Sequence, residues 1–138
     1  MVSPIEQRAR VRRQLKYSLQ ALAASVEVQR TTYAPFACVT CELINDFDNF
    51  ASTMLDAYAT DLNRHQVDSL QSIGLLIDAL APTDVACFTM EPLRTSSRWE
   101  GIRVAAKGAL ANFGWPASAP PKDVEESNGI WRQAEPDD

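Results

Sequence analysis

Three cysteines and one histidine are the residues whose types could bind a metal or carry redox chemistry. Cys38 and Cys41 form a C-x-x-C pair just after Pro35, where a helix is expected to begin. Such a pair supplies two of the four ligands of a tetrahedral zinc site, and Cys87 with His65 would complete a Cys3His set. At a helix N-terminus the same spacing is typical of a redox site.

The surroundings of this pair favour a simpler interpretation. The Cys38–Cys41 pair lacks the glycine and basic residues of a zinc knuckle, and no strand–helix pattern of the thioredoxin kind precedes it. An odd number of cysteines also argues against a disulfide framework. We therefore predict no cofactor, and cysteines that pack against another helix as small hydrophobic residues. A zinc or redox site at Cys38 and Cys41 is the alternative.

Other catalytic signatures are missing from the sequence. His65 is the single histidine, and nothing near it supplies the nucleophile and orienting group that serine or cysteine hydrolysis requires. Glu42, Asp46 and Asp48 could hold a divalent cation, but the Glu-x-x-His pattern of di-iron bundles is absent. The few glycines form no phosphate-binding loop. We predict a protein that is not an enzyme.

Charge is segregated along the chain, whose net charge is −5. Residues 1–35 hold six basic and two acidic residues, or +4, whereas residues 36–84 hold one basic and eight acidic residues, or −7. The basic cluster could bind nucleic acid through its phosphates, although the acidic body would repel such a ligand. An intramolecular match to the acidic second helix, or a patch for a protein partner, is favoured. The cluster comprises Arg8, Arg10, Arg12, Arg13 and Lys16.

Prolines and glycines divide the chain into stretches with apolar residues at helical spacing, which predicts an all-α domain. The first helix would run from about Pro4 to Arg30, with Ser3 as its cap. A second helix would follow Pro35, and a third would begin at a capping box of Asn63 and Gln66, although one helix over 36–81 is an open alternative. The predicted inward residues of the first two helices are Leu15, Leu19, Leu22 and Val26, then Phe36, Val39, Leu43, Phe47, Phe50, Met54 and Tyr58.

The fourth predicted helix begins at a capping box of Ser97 and Glu100 and ends at Gly114. Gly101 and Gly108 lie on its side opposite the apolar stripe, so we expect another helix, the tail or a second subunit to pack closely there. This face is a candidate homo-oligomer contact. The predicted stripe is Trp99, Ile102, Ala106, Leu110 and Phe113.

These elements predict a four-helix, mainly antiparallel bundle over residues 1–116 and a Pro-rich, acidic, poorly ordered tail over residues 117–138. The apolar pair Ile130–Trp131 within the tail could dock on its own domain or on a partner. No apolar run reaches the length of a membrane span, so we predict no membrane partner. The odd number of cysteines favours a reducing cytoplasm as the location.

The leading functional hypothesis is a non-enzymatic interaction module: a regulator, adaptor or inhibitor that binds a basic protein partner. A strongly charged surface steers association with a partner of opposite sign, and a toxin-neutralising role fits that logic. A nucleic-acid-associated regulator and a C-x-x-C zinc or redox protein are the alternatives. The predicted partner-binding residues are Glu42, Asp46, Asn49, Thr53, Asp56, Arg8 and Arg12.

Overall fold

The computed structural model describes residues 3–134, and it is mostly helical, as the periodicity predicts. Among these residues it has six α-helices, two short 3-10 turns at Ala59–Asp61 and Pro82–Asp84, and one two-stranded sheet. The helices and strands are α1 Pro4–Ala23, α2 Val26–Thr32, α3 Val39–Ala57, α4 Arg64–Asp78, α5 Glu91–Thr95, α6 Ser97–Phe113, β1 Asp123–Ser127 and β2 Ile130–Gln133.

The four longest helices share one hydrophobic core. Helix α1 packs against α3 and α6, and α4 packs mainly against α6. Burying one large apolar side chain contributes about 1.5–3 kcal/mol, so this core carries much of the stability of the fold. The largest side chains that are fully buried in it include Trp99, Leu15, Leu19, Leu22, Leu43, Met54, Leu70 and Ile73.

The single first helix expected over residues 4–30 is wrong, because the chain turns at Ala24 and Ser25. The Ser25 side chain caps α2 by accepting a hydrogen bond from the Val28 N–H at 3.3 Å. Gln29 of α2 is buried and donates to the carbonyls of Ala21 at 3.0 Å and Leu22 at 3.3 Å. These carbonyls lie in the last turn of α1, where no following helical turn supplies N–H donors to them, so the Gln29 side chain stabilises the turn.

The second and third predicted helices are separate, which settles the open alternative over residues 36–81. The capping box of Asn63 and Gln66 is confirmed, with both hydrogen bonds at 2.9 Å. The prediction that Phe36 lies in the core is wrong, because Phe36 precedes the start of α3 and is 76% exposed. The helical spacing of apolar residues continues about one turn before the N-terminus of α3, so it included Phe36 although that residue is not in the helix.

Helix α6 buries the predicted stripe and ends at Gly114 in the left-handed conformation, with φ 71°. The capping box of Ser97 and Glu100 is wrong, because Ser96 is the N-cap and its side chain makes no capping bond. Glu100 instead pairs with Arg103 at 3.2 Å. A Cβ added at Gly101 or Gly108 would meet nothing within 4 Å, so no element of the described chain packs closely on them.

The poorly ordered tail is also wrong for residues 123–133, which form an antiparallel hairpin. Gly129 has φ 80° at its turn, and Asp123 accepts a hydrogen bond from the Ala34 N–H at 3.1 Å. Trp131 packs edge-on against Phe36 with ring centroids 6.2 Å apart, whereas Ile130 stays 58% exposed. The hairpin therefore docks on the segment between α2 and α3. Residues 135–138 lie outside the described part of the chain.

Candidate functional site: a cluster of three cysteines

The structure brings Cys87 to the C-x-x-C pair of Cys38 and Cys41, although Cys87 lies 49 residues after Cys38 in the sequence. Cys38 and Cys87 form a disulfide with their Cα atoms 4.6 Å apart. The free Cys41 places its Sγ 3.0 Å from that of Cys38 and 3.6 Å from that of Cys87. The expectation of no disulfide is therefore wrong. Cys38 and Cys41, expected to pack as small hydrophobic residues, are half-buried, and Cys87 is exposed.

Helix α3 positions the first two cysteines. Cys38 is the N-cap of α3 and Cys41 lies in its first turn. Residues three apart on a helix share a face, so both sulfur atoms point toward the same neighbouring loop. This relationship follows from the C-x-x-C spacing itself.

The loop of residues 85–90 delivers Cys87, and buried contacts hold the loop at both ends. At the start, the Trp99 indole N–H donates to the Asp84 carbonyl at 2.8 Å, and Asp84 accepts from the Ala81 N–H at 2.8 Å. The hydrogen bond from the Ala81 N–H is the largest cause that lowers the pKa of Asp84 below its ordinary value. The Ser96 side chain and the charge of Arg98 lower it further. At the end, Leu93 of α5 is fully buried. The loop that carries Cys87 to Cys38 is therefore anchored at both of its ends.

His65 does not join the cluster, so it does not complete the Cys3His set that the sequence offers as an alternative. His65 lies exposed in the first turn of α4, and its carbonyl accepts from the Ser69 hydroxyl at 2.9 Å. Within residues 3–134, the group of side chains spaced to share a metal ion consists of the three cysteines alone, with sulfur atoms within 4.8 Å of one another.

A groove of about 300 Å³ runs beside the disulfide. Its lining includes Cys87 and the fully exposed Phe88, together with Pro35 and Val39. Among the described residues that line the groove, Arg30 is the one with a charged side chain. The exposed cysteine of the disulfide therefore borders a mostly apolar concave surface of the size that holds a small ligand or a short peptide segment.

A second cleft, of about 230 Å³, contains part of the predicted acidic stripe. Glu42 and Asp46 of α3 face Tyr33 and, from the hairpin, Asp123. Burial, the nearby carboxylate of Glu42 and that of Asp123 raise the pKa of Asp46 to about 6, while the Tyr33 hydrogen bond opposes them. Burial and then the carboxylates of Asp46, Glu42 and Asp123 raise the pKa of Tyr33.

The remaining predicted partner-binding residues do not continue this cleft. Asn49 and Asp56 are exposed, and the Thr53 hydroxyl donates to the Asn49 carbonyl at 2.8 Å. Arg8 pairs with Asp61 at 3.4 Å, and its guanidinium lies over the Tyr58 ring. Arg12 lies over the stacked rings of Phe113 and Trp115. Both arginines thus have contacts within the chain, and their binding of a partner stays a prediction.

Comparisons with protein-family models, curated proteins and solved structures bear on the identity of the chain. None of them finds a match. No helix between residues 3 and 134 is long and apolar enough to cross a membrane. The sequence offers Cys87 only as a candidate zinc ligand beside Cys38 and Cys41, and its disulfide with Cys38 was not predicted because no local signal places residue 87 beside residue 38.

Proposed function

We propose that this protein is a thiol–disulfide exchange protein that acts on the cysteine of a polypeptide partner. The observation that carries the proposal is the free Cys41 sulfur, 3.0 Å from Cys38 Sγ in the Cys38–Cys87 disulfide. A disulfide that only stabilised the fold would need no third sulfur within reach of it. Exchange begins with attack of a thiolate on one sulfur of a disulfide, which is the contact that Cys41 makes.

The internal step conserves atoms and electrons. The Cys41 thiolate attacks Cys38 Sγ, so the Cys38–Cys41 bond forms, the Cys38–Cys87 bond breaks, and Cys87 leaves as a thiolate. The proton that Cys41 loses to water is balanced when Cys87 takes one up. The chain thus alternates between two disulfide forms, of which the second presents a free Cys87 at the exposed end of the groove.

The external step uses Cys87. Its thiolate attacks a disulfide of the partner, a mixed disulfide forms between Cys87 and the partner, and the partner's other sulfur leaves as a thiolate. The neighbouring groove and the fully exposed Phe88 supply apolar contacts for the segment around the partner's cysteine. This function suits a compartment that permits disulfides, whereas the cytoplasmic location predicted from the sequence is a reducing one. That location stays a prediction.

Disulfide mapping tests the proposal. The oxidised protein is quenched with acid, its free thiol is alkylated, and the position of the label is read by mass spectrometry. We expect some molecules to carry the label on Cys41 and the others on Cys87, because each disulfide form leaves one of these two thiols free. We also expect a mixed disulfide at Cys87 after incubation with a peptide disulfide. The Cys41→Ser variant should contain only the Cys38–Cys87 form. Label confined to Cys41, with no mixed disulfide, would overturn the proposal.

A second candidate is the non-covalent interaction module, with the four long helices as a bundle that presents charged side chains. The exposed acidic residues of α3 support it, because Asp48 and Asp56 lie at the surface outside the described ion pairs. Exposed charges raise the rate of association with an oppositely charged partner and do so less at high salt. Replacing both residues by lysine should slow association with a basic partner protein; an unchanged association rate would contradict this candidate.

A further inference from the structure

We infer that the reduced cysteine cluster binds one thiophilic d10 cation, Zn²⁺ or Cu⁺, through the sulfur atoms of Cys38, Cys41 and Cys87. This inference goes beyond the proposed exchange function, because metal binding requires no partner and no transfer of a disulfide. It concerns the form of the protein in which all three sulfur atoms are thiols.

The geometry of the cluster is close to that of a three-thiolate site. Zn–S bonds of about 2.3 Å at tetrahedral angles place the sulfur atoms about 3.8 Å apart. Cys41 Sγ is already 3.6 Å from Cys87 Sγ and 3.0 Å from Cys38 Sγ. Once the disulfide is reduced, Cys38 and Cys87 need to separate by less than about 2 Å to reach the same spacing. A change of side-chain rotamers with a small shift of the 85–90 loop is sufficient.

The ligand types select the cation. Thiolates are soft ligands that favour Cu⁺ and Zn²⁺ over the hard cations Mg²⁺ and Ca²⁺, which prefer oxygen. Three thiolates satisfy a trigonal Cu⁺ ion, and they leave Zn²⁺ one position for water. Within the described chain no histidine or carboxylate joins the three sulfur atoms as a fourth ligand. The exposed side of Cys87 gives the ion access from solvent.

The chemistry of binding has two balanced steps. A phosphine reductant supplies two electrons and water supplies one oxygen and two protons, so the Cys38–Cys87 bond is cleaved, two thiols form and the phosphine becomes its oxide. The cation then replaces the S–H protons of three thiols, so binding at pH 7 releases about three protons, because free cysteine has a pKa near 8.5. The disulfide form retains one thiol and should not hold the ion.

The experiment uses the full-length protein, reduced with a phosphine and desalted without oxygen. Zn²⁺ is titrated against a chromophoric chelator and Cu⁺ against a Cu⁺-specific chelator in separate arms, with proton release followed in weakly buffered solution. We expect one ion per chain, about three protons released, and at least about 100-fold weaker binding in Cys41→Ser, which loses one of three ligands. Circular dichroism of the reduced, metal-free protein establishes that the fold persists.

Two controls isolate the cluster. His65→Ala removes the chain's single histidine, which lies outside the cluster, and should bind as the wild type does. The oxidised wild type should bind at least 100-fold more weakly than the reduced protein. Tight binding in one arm alone identifies the cation and supports the inference. Absence of 1:1 binding in both arms, or equal binding by Cys41→Ser, overturns it and leaves the exchange proposal intact, since disulfide mapping tests that separately.

Discussion

The Tyr33 hydroxyl donates a hydrogen bond to Asp46 Oδ2 at 3.5 Å and joins the end of α2 to the middle of α3. The hairpin brings Asp123 to the same cleft, where its other contact is the Ala34 N–H. Three carboxylates, those of Glu42, Asp46 and Asp123, therefore converge around one half-buried phenol. The fold tolerates this arrangement best when Asp46 is neutral, which makes the cleft sensitive to pH.

Asp46→Asn should stabilise the protein above pH 6. The pKa of Asp46 is raised to about 6 in the folded state, whereas an unfolded aspartate titrates near 3.9. Folding thus favours the protonated acid, so its contribution to stability is complete below pH 4 and is lost as pH rises to 6. Discounted for partial exposure to solvent, the gain in the free energy of unfolding at pH 7.5 is about 1–2 kcal/mol. Urea denaturation at pH 4 and 7.5 measures it.

Asp48→Asn is the matched control for this prediction, because Asp48 lies exposed on the same helix. Its denaturation midpoints should differ little from those of the wild type at both pH values. The explanation fails if Asp46→Asn gives the same change in unfolding free energy at pH 4 as at pH 7.5.

Arg103→Ala should destabilise the protein by about 3 kcal/mol, because it leaves buried acceptors without their donor. Arg103 is 7% exposed, and its guanidinium donates to Gln29 Oε1 at 3.1 Å and to the Leu93 carbonyl. It thereby links α2, α5 and α6. Lys107→Ala, at an exposed position of α6, is the control and should leave the thermal midpoint nearly unchanged. Similar losses in both variants would rule out a specific role for the buried guanidinium.

Asp123→Ala should release the hairpin without unfolding the helices. Its carboxylate accepts a hydrogen bond from the Ala34 N–H. A hydrogen bond to a charged group typically contributes about 1.5–3 kcal/mol to stability. Hydrogen exchange at the Ala34 amide should become at least about tenfold faster, while exchange in α6 stays the same. Glu125→Ala in the same strand, with an exposed side chain, is the control. Protection of Ala34 equal to that of the wild type would contradict this anchoring role.

Helical periodicity predicted most of the core because it reports which face of a regular helix is apolar. Trp99 and Leu110 are buried as expected, and the Asn63 capping box marks the start of α4. The same signal missed the turn at Ser25, since the apolar spacing of α1 continues through it to Val26. The hairpin was missed because the acidic composition of the tail predicted poor order, although Asn128-Gly129 is a turn signal.

The candidate site could be predicted only in its local half. The C-x-x-C spacing places Cys38 and Cys41 on one face of α3, and that follows from helix geometry alone. The approach of Cys87 depends on an irregular loop whose anchor, the Trp99–Asp84 bond, joins residues that share no sequence pattern. Tyr33 and Asp123 likewise meet Asp46 through the tertiary fold, and neither belongs to a recognisable motif.

Trp99→Phe tests whether this anchor delivers Cys87 to Cys38. Phenylalanine keeps an aromatic ring in the core but leaves the Asp84 carbonyl without the indole donor at 2.8 Å, so we expect a loss of about 1–3 kcal/mol. A looser 85–90 loop lowers the effective concentration of Cys87 at Cys38, so the disulfide of the reduced, folded protein should re-form about tenfold more slowly. Thiol alkylation over time measures this rate. Trp131→Phe, in the hairpin, should re-form it at the wild-type rate, and equal slowing in both variants would refute the anchoring role.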